Sequence, residues 1–256
     1  MISLSIENIA VYILVFVRML GMIAFNPLFA RRNVPSQVRM GLVICLTLVL
    51  SPTIDTVTIA SSNELDLILS MFKELIVGLT CGFVFQIFYY LIFFAGDILD
   101  VQFGLSMAKI FDPGTNIQMS ITGNLIGLMF ILYILMTDSY LLMIKIFTTS
   151  YMIIPAGAVR ISPEISGFIF DLFIQAFVLI IKLTLPFIAA EFTLEIAMGV
   201  LMKLIPQIHV FVINIQFKLL LGIFLLFIFA PAISGFVDNY MNIMFQSMQK
   251  ALYTLA

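Results

Sequence analysis

Apolar residues in this chain run in long stretches, and polar residues are confined to short gaps and to single charges embedded in the runs. Residues 9–29 are apolar apart from Arg18 and Asn26, and they end in turn chemistry from Asn26-Pro27 to Val34-Pro35. A second run, 40–50, stops at Ser51-Pro52 and is followed by a polar, lysine-free stretch, 55–66. The third run, 65–96, exceeds the roughly 20 residues a perpendicular span needs, so it must tilt, bend or leave the lipid. Polar residues between 96 and 120 predict a helix end, a loop around Asp112-Pro113-Gly114 and a restart near Ile117. Residues 121–154 are again overlong and interrupted by Asp138, and 155–163 is a further turn region. Residues 165–205 are about twice a span, with Pro186 in the middle, which predicts a kinked helix or a bent hairpin. Pro206-Gln207 then turns the chain into 210–237, and a short amphipathic tail reaches Ala256.

Composition turns this pattern into a class. Of 256 residues, 62% are hydrophobic and 10% charged, and mean hydropathy is +1.19. Soluble domains carry roughly 25% charge, so there is too little polar surface here for a water-soluble globule. The chain reads as an all-α, integral membrane-type protein of about six long, partly kinked helices arranged as hairpins. Allowing about 20 residues per crossing, roughly five to seven spans fit and no large soluble domain does. Arg31, Arg32 and Arg39 mark the first loop as cytoplasmic, which places the N-terminus outside. Residues 1–8 lack the basic start of a cleaved secretory signal, so the first run is expected to stay as a helix. Net charge is −2 with no basic block, which argues against a nucleic-acid partner. Cys45 and Cys81 lie in apolar runs and form neither a disulfide framework nor a metal knuckle.

Ten charges fall within or beside the apolar runs: Arg18, Lys73, Glu74, Asp138, Lys145, Asp171, Lys182, Glu191, Glu195 and Lys218. Each would cost about 2.5–3.5 kcal/mol at a bilayer centre, so these groups face protein or water, pair with one another, or snorkel from helix ends. So many charges suggest helices that pack chiefly against other protein. Gly78-x3-Gly82 and Gly123-x3-Gly127 have the small-residue spacing of close helix contacts, within the chain or with a partner. Catalytic chemistry is sparse. His209 is the only histidine, which removes HExxH, Glu-x-x-His and Ser-His-Asp sites, and no nucleophile elbow or phosphate-binding glycine loop is present. No cofactor or metal is expected. Asp97, Asp100 and Glu191 leave one alternative open, an ion path through a small-solute permease or channel; a membrane enzyme would need groups supplied from elsewhere.

Three blocks carry a resemblance. Arg18-x2-Gly21, Asn26-Pro27-Leu28-Phe29, Val34-Pro35, Arg39-Met40-Gly41-Leu42 and Ser51-Pro52 form the first. Gly96-Asp97-x2-Asp100-x3-Gly104-Leu105-Ser106-Met107-Ala108-x3-Asp112-Pro113-Gly114 is the second. The third runs from Pro186 through Glu195 to Pro206-Gln207-Ile208-His209-Val210-Phe211 and Lys218-Leu219-x2-Gly222. In this order they resemble the FliR family of flagellar type III export gate proteins and its injectisome counterpart, the T subunit. Where that family carries a Gly-Phe-Pro-Leu-Lys type run, this chain has Asn214-Ile215-Gln216-Phe217-Lys218, without the Gly and Pro that would bend it.

The resemblance implies one subunit domain over residues 1–256, with a FliP-like part at 1–160 and a FliQ-like part at 161–256. It implies a non-enzymatic, single-copy subunit of a hetero-oligomer with FliP-like and FliQ-like subunits, contacted by an FlhB-like subunit. The complex would sit in the bacterial cytoplasmic membrane at the flagellar basal body and conduct unfolded polypeptides. It further implies a pore plug in the second block, with Met107, Ile110 and Phe111 facing the lumen and Asp112, Pro113 and Gly114 turning the loop that aims them. Arg18, Asp97, Asp100, Glu191, Glu195 and Lys218 are then candidates for charges paired between subunits or within the complex, and Pro186 and Pro206 for kinks or turns. A virulence injectisome T subunit is the alternative within the same family.

Overall fold

The computed structural model describes residues 6–29, 34–54, 64–106, 120–159, 162–205 and 210–256. Among them are seven α-helices: α1 (Ile6–Ala24), α2 (Ser36–Leu50), α3 (Glu64–Gln102), α4 (Ile121–Met136), α5 (Ser139–Ile153), α6 (Glu164–Leu204) and α7 (Val210–Leu255). A 3-10 turn, Ser51–Thr53, follows α2 and contains Pro52, at a position where the missing N–H costs nothing. The chain divides into two compact units. One comprises residues 1–88, 134–174 and 242–256, the other 89–133 and 175–241.

In the first unit α1 and α3 meet through glycine. A Cβ on Gly21 would lie 2.9 Å from the Leu75 carbonyl oxygen, and one on Gly78 would collide with the Arg18 carbonyl. One turn along, a Cβ on Gly82 would come within 2.9 Å of the Phe25 Cβ. The Gly78-x3-Gly82 spacing is therefore used inside the chain, letting two backbones approach where any side chain would hold them apart. Leu14, Val15, Met19, Val77, Cys81, Phe85, Ile146, Phe147, Met244 and Met248 are buried in this unit's core.

The second unit repeats the device. A Cβ on Gly96 of α3 would collide with the Gly123 backbone of α4, and one on Gly127 would lie 2.7 Å from the Phe93 ring. Phe187 of α6 bridges two neighbours, with ring centroids 6.1 Å from Phe103 and 5.4 Å from Phe229. Phe187 meets Phe229 while Glu195 pairs with Lys218, so α6 and α7 run antiparallel.

Several expectations change. The helix end expected between 96 and 120 falls at Gln102, so α3 outruns the apolar stretch and includes Asp97 and Asp100. Residues 164–204 form one helix and not a bent hairpin. Pro186 leaves the Lys182 carbonyl without its usual donor, a loss that long apolar helices absorb when packed against neighbours. Pro231 likewise lies inside α7, which runs uninterrupted through Asn214-Ile215-Gln216-Phe217-Lys218 and takes up the expected tail. The break at Asp138 is observed, with this residue in the left-handed region at φ 55° before α5.

Among the described residues three helices, α3, α6 and α7, are long and apolar enough to cross a membrane, or four if α4 and α5 together make one span, and α1 and α2 are shorter apolar helices. α1 and α2 have 19 and 15 residues. Burial also divides the candidates: 61% of the most apolar stretch of α3 is buried within the chain, against 28% for α6 and 22% for α7. The last two present most of their apolar surface outward.

Candidate functional site

Arg18 of α1 is wholly buried, and its surroundings explain why the chain tolerates it. Its Nε donates to Oε2 of Glu74, itself fully buried on α3. Its Nη1 donates to the carbonyls of Ser150 at 3.1 Å and Ile154 at 2.9 Å. Those carbonyls belong to the last turn of α5 and the residue capping it, where a helix lacks internal donors and a cation complements the dipole. The guanidinium carbon lies 4.2 Å from the centre of the Tyr151 ring, and the Tyr151 hydroxyl donates to the Val15 carbonyl at 3.3 Å. The remaining Glu74 oxygen, Oε1, accepts the Gly157 N–H at 2.8 Å. Gly157 has φ +82°, a conformation other residues rarely adopt. One ion pair thus joins α1, α3, the end of α5 and the turn after it, and the counter-charge of Arg18 comes from its own chain.

Asp100, also buried, is engaged in a different way. Its two oxygens accept the N–H groups of Ile121 at 2.7 Å and Thr122 at 3.0 Å, the first two residues of α4. Ser120 supplies the third cap, its hydroxyl accepting the Gly123 N–H at 2.8 Å. Three of the four N–H groups that a helix start leaves unpaired are therefore satisfied, two of them by a carboxylate about 20 residues earlier in the chain. A carboxylate committed to two backbone donors is poorly placed for the ion path that the permease alternative requires. Asp97, one turn before it on α3, is exposed.

Between these anchors lies the second sequence block. Asp100, Gly96 and Gly123 hold the end of α3 against the start of α4. The plug candidates Met107, Ile110 and Phe111, and the turn Asp112, Pro113 and Gly114, lie outside the described residues, as do Arg31, Arg32, Pro206 and His209.

The charges of the C-terminal block converge on the α6–α7 hairpin. Lys218 Nζ donates to Glu195 Oε1, with the lysine mostly covered and the glutamate half exposed. Glu191, one turn before Glu195, is fully buried, and neither of its oxygens has a hydrogen-bond partner among the described residues. Farther along α7 the Tyr133 hydroxyl of α4 donates to Asp238. No group of three or more metal-ligating side chains occurs among the described residues.

Sequence reasoning placed Arg18 and Glu74 both in apolar surroundings but did not pair them, since 56 residues separate them. Ser120 before an apolar run was a readable cap signal. Nothing local announced that Asp100 would complete that cap, or that Gly157 would close on Glu74.

Residues 9–244 match the family described as "Bacterial export proteins, family 1". The chain is 27% identical to the flagellar biosynthetic protein FliR of Bacillus subtilis (strain 168) over 250 residues, covering 96% of each. It is 25% identical to the FliR of Escherichia coli (strain K12), covering 89% of this chain and 87% of that one. It is also 28% identical to the Yop proteins translocation protein T of Yersinia pestis over 193 residues, or 75% of this chain and 74% of that one. A match over nearly the whole length, to relatives from both flagellar and Yop systems, leaves one conclusion: this chain belongs to family 1 of the bacterial export proteins.

Proposed function

We propose that this chain is a non-enzymatic, single-copy subunit of a flagellar type III export gate in the bacterial cytoplasmic membrane. It assembles with FliP-like and FliQ-like subunits, is contacted by an FlhB-like subunit, and helps form the conduit through which unfolded flagellar proteins cross. In this reading residues 1–160 take a FliP-like place in the complex and 161–256 a FliQ-like one. The observation that carries it is the family match over residues 9–244. The uncovered apolar faces of α6 and α7 support it, because in a complex they are surfaces for sibling helices as well as for lipid. The likeness to the Yersinia protein favours a second reading, the same role in an injectisome. Affinity purification of the tagged chain from its native membrane should recover several copies of FliP-like and FliQ-like proteins, and deletion should abolish motility. A lone, monodisperse chain and swimming cells would overturn the proposal.

The loop from Ser106 to Ile121 is proposed as the plug of this conduit. Met107, Ile110 and Phe111 would seal a narrow opening by excluding water, a task suited to methionine's deformable thioether. Asp112-Pro113-Gly114 supplies the turn, and the close approach of Gly96 to Gly123 joins the two helices that flank it. Replacing both Met107 and Ile110 with Ala should raise ion leakage or dye uptake in cells carrying the assembled gate. Unchanged membrane conductance would remove these residues from the seal.

A further inference from the structure

The stretch of α6 best suited to lipid has a lysine at its centre. Residues 172–190, between Asp171 and Glu191, carry no charge except Lys182. Their midpoint is residue 181, so a span of about 20 residues placed there sets Lys182 about 15 Å from either interface. A four-carbon stem cannot carry its head group that far. Lys182 is also exposed on the surface of the chain. α3 and α6 run parallel, with Phe94 against Phe177 and Phe103 against Phe187, which brings Asp97 and Asp100 level with the lysine. Asp100 is committed to the start of α4, and among the described residues no ion pair joins Asp97 to Lys182. The neighbours of Lys182 form a pattern. Val178, Lys182, Leu185, Ala189, Phe192 and Ile196 follow one another at alternating steps of four and three, the spacing of a coiled-coil seam, and each is exposed. The next step falls on Gly199, where a Cβ would meet no atom within 4 Å. The face that packs within the chain is a different one, holding Phe187 between Phe103 and Phe229.

We propose that this seam of α6 is the docking face for one helix of a sibling membrane subunit, apolar along its contact and bearing a single Asp or Glu at the height of Lys182. A lone cation at mid-depth is costly against lipid, which offers no counter-charge there, whereas a facing carboxylate compensates it. A single polar position in an otherwise apolar seam also fixes the register of the two helices. Ala189 and Gly199 let the backbones approach closely. Such a docking face rests on the reading of this chain as one subunit of an export complex, and it narrows that reading to a surface and a partner chemistry.

The test uses the full tagged chain, purified from its native membrane in mild detergent with the siblings that stay bound. A photo-crosslinker placed at Leu185, beside the lysine, should join the chain to an apolar stretch of a sibling that has Asp or Glu within one turn of the attachment. Lys182→Glu should lower recovery of that sibling about tenfold or more, while Lys182→Arg retains it. Exchanging the sibling's carboxylate for Lys should restore recovery with Lys182→Glu. The unfolding temperature of the chain purified alone should be the same with either substitution. If the Lys182→Glu chain is not recovered from membranes, Lys182→Met takes its place, with the sibling's carboxylate changed to the amide as the restoring exchange. Undiminished recovery, failure of the exchange, or cross-links only to lipid or to exported polypeptide would overturn the seam, as would rescue of Lys182→Glu by Asp97→Lys, which would make the pair internal. A native chain that brings down no siblings sinks the complex itself; siblings recovered equally with Lys182→Glu sink only the docking face.

Discussion

Arg18 shows how a residue that hydropathy would forbid becomes the most constrained in its unit. Its guanidinium has a carboxylate, two helix-end carbonyls and an aromatic face within reach, so burial does not leave it uncompensated. The pair is weak evidence of stability against an apolar replacement of both partners, but breaking one partner is costly. Glu74→Gln keeps the shape, removes the counter-charge of Arg18 and should destabilise the chain by about 3–5 kcal/mol. Arg18→Met should do the same, while the double variant Arg18→Met with Glu74→Gln recovers part of the loss. Chemical denaturation in detergent reads all three, and simple additivity of the single losses would show that the two residues do not act as a pair. Lysine at position 18 would keep the charge but not the planar fork that serves α3 and α5 together.

At the scale of elements, the junction from α3 to α4 carries the most organisation. α3 runs past the end of its apolar stretch because Asp97 and Asp100 are compatible with a helix, and Asp100 finds its use across space at the start of α4. Sequence pattern placed the helix end among these polar residues, and the packed structure supplies what the pattern could not, the destination of the Asp100 side chain. Asp100→Asn would set an amide group against two N–H donors and should cost about 1–2 kcal/mol. The fraying should appear as faster hydrogen exchange at Ile121 and Thr122, with the amides of α5 unaffected. Equal protection in the variant would mean Ser120 suffices as the cap. Pro186 teaches the converse lesson. Its effect on a helix in water is well defined, but with Phe187 packed against Phe103 and Phe229 it lies inside one helix, so of the kinked helix and the bent hairpin expected there the hairpin is excluded.

For the whole molecule, the decisive feature is how unevenly apolar surface is covered. α3 is largely enclosed, while α7 leaves residues such as Leu220, Ile223 and Phe227 outward, the last 81% exposed. Lipid tolerates truncation of such a side chain, whereas a packed protein interface does not. Phe227→Ala should therefore leave the unfolding temperature of the isolated, detergent-solubilised chain unchanged while reducing recovery of sibling subunits in a pull-down. Full recovery would assign this face of α7 to lipid.

The sequence by itself determined the class of molecule, the positions of most helices and the family. Those follow from composition, from apolar run lengths and from local motifs, which are properties of neighbours along a chain. It also marked Arg18, Glu191, Glu195 and Lys218 as charges costly to leave in lipid, and Asp100 as a candidate for pairing within the chain or the complex. Tertiary structure decided what each of them meets: Arg18 found Glu74, Asp100 became a distant helix cap, and Lys218 chose Glu195 over Glu191. It also decided how many helices are long enough to cross a membrane and that the Gly78-x3-Gly82 contact closes on α1. The physical reason is that a buried charge or a bare glycine states a requirement locally, while the partner that satisfies it is fixed only when segments far apart in the chain pack together.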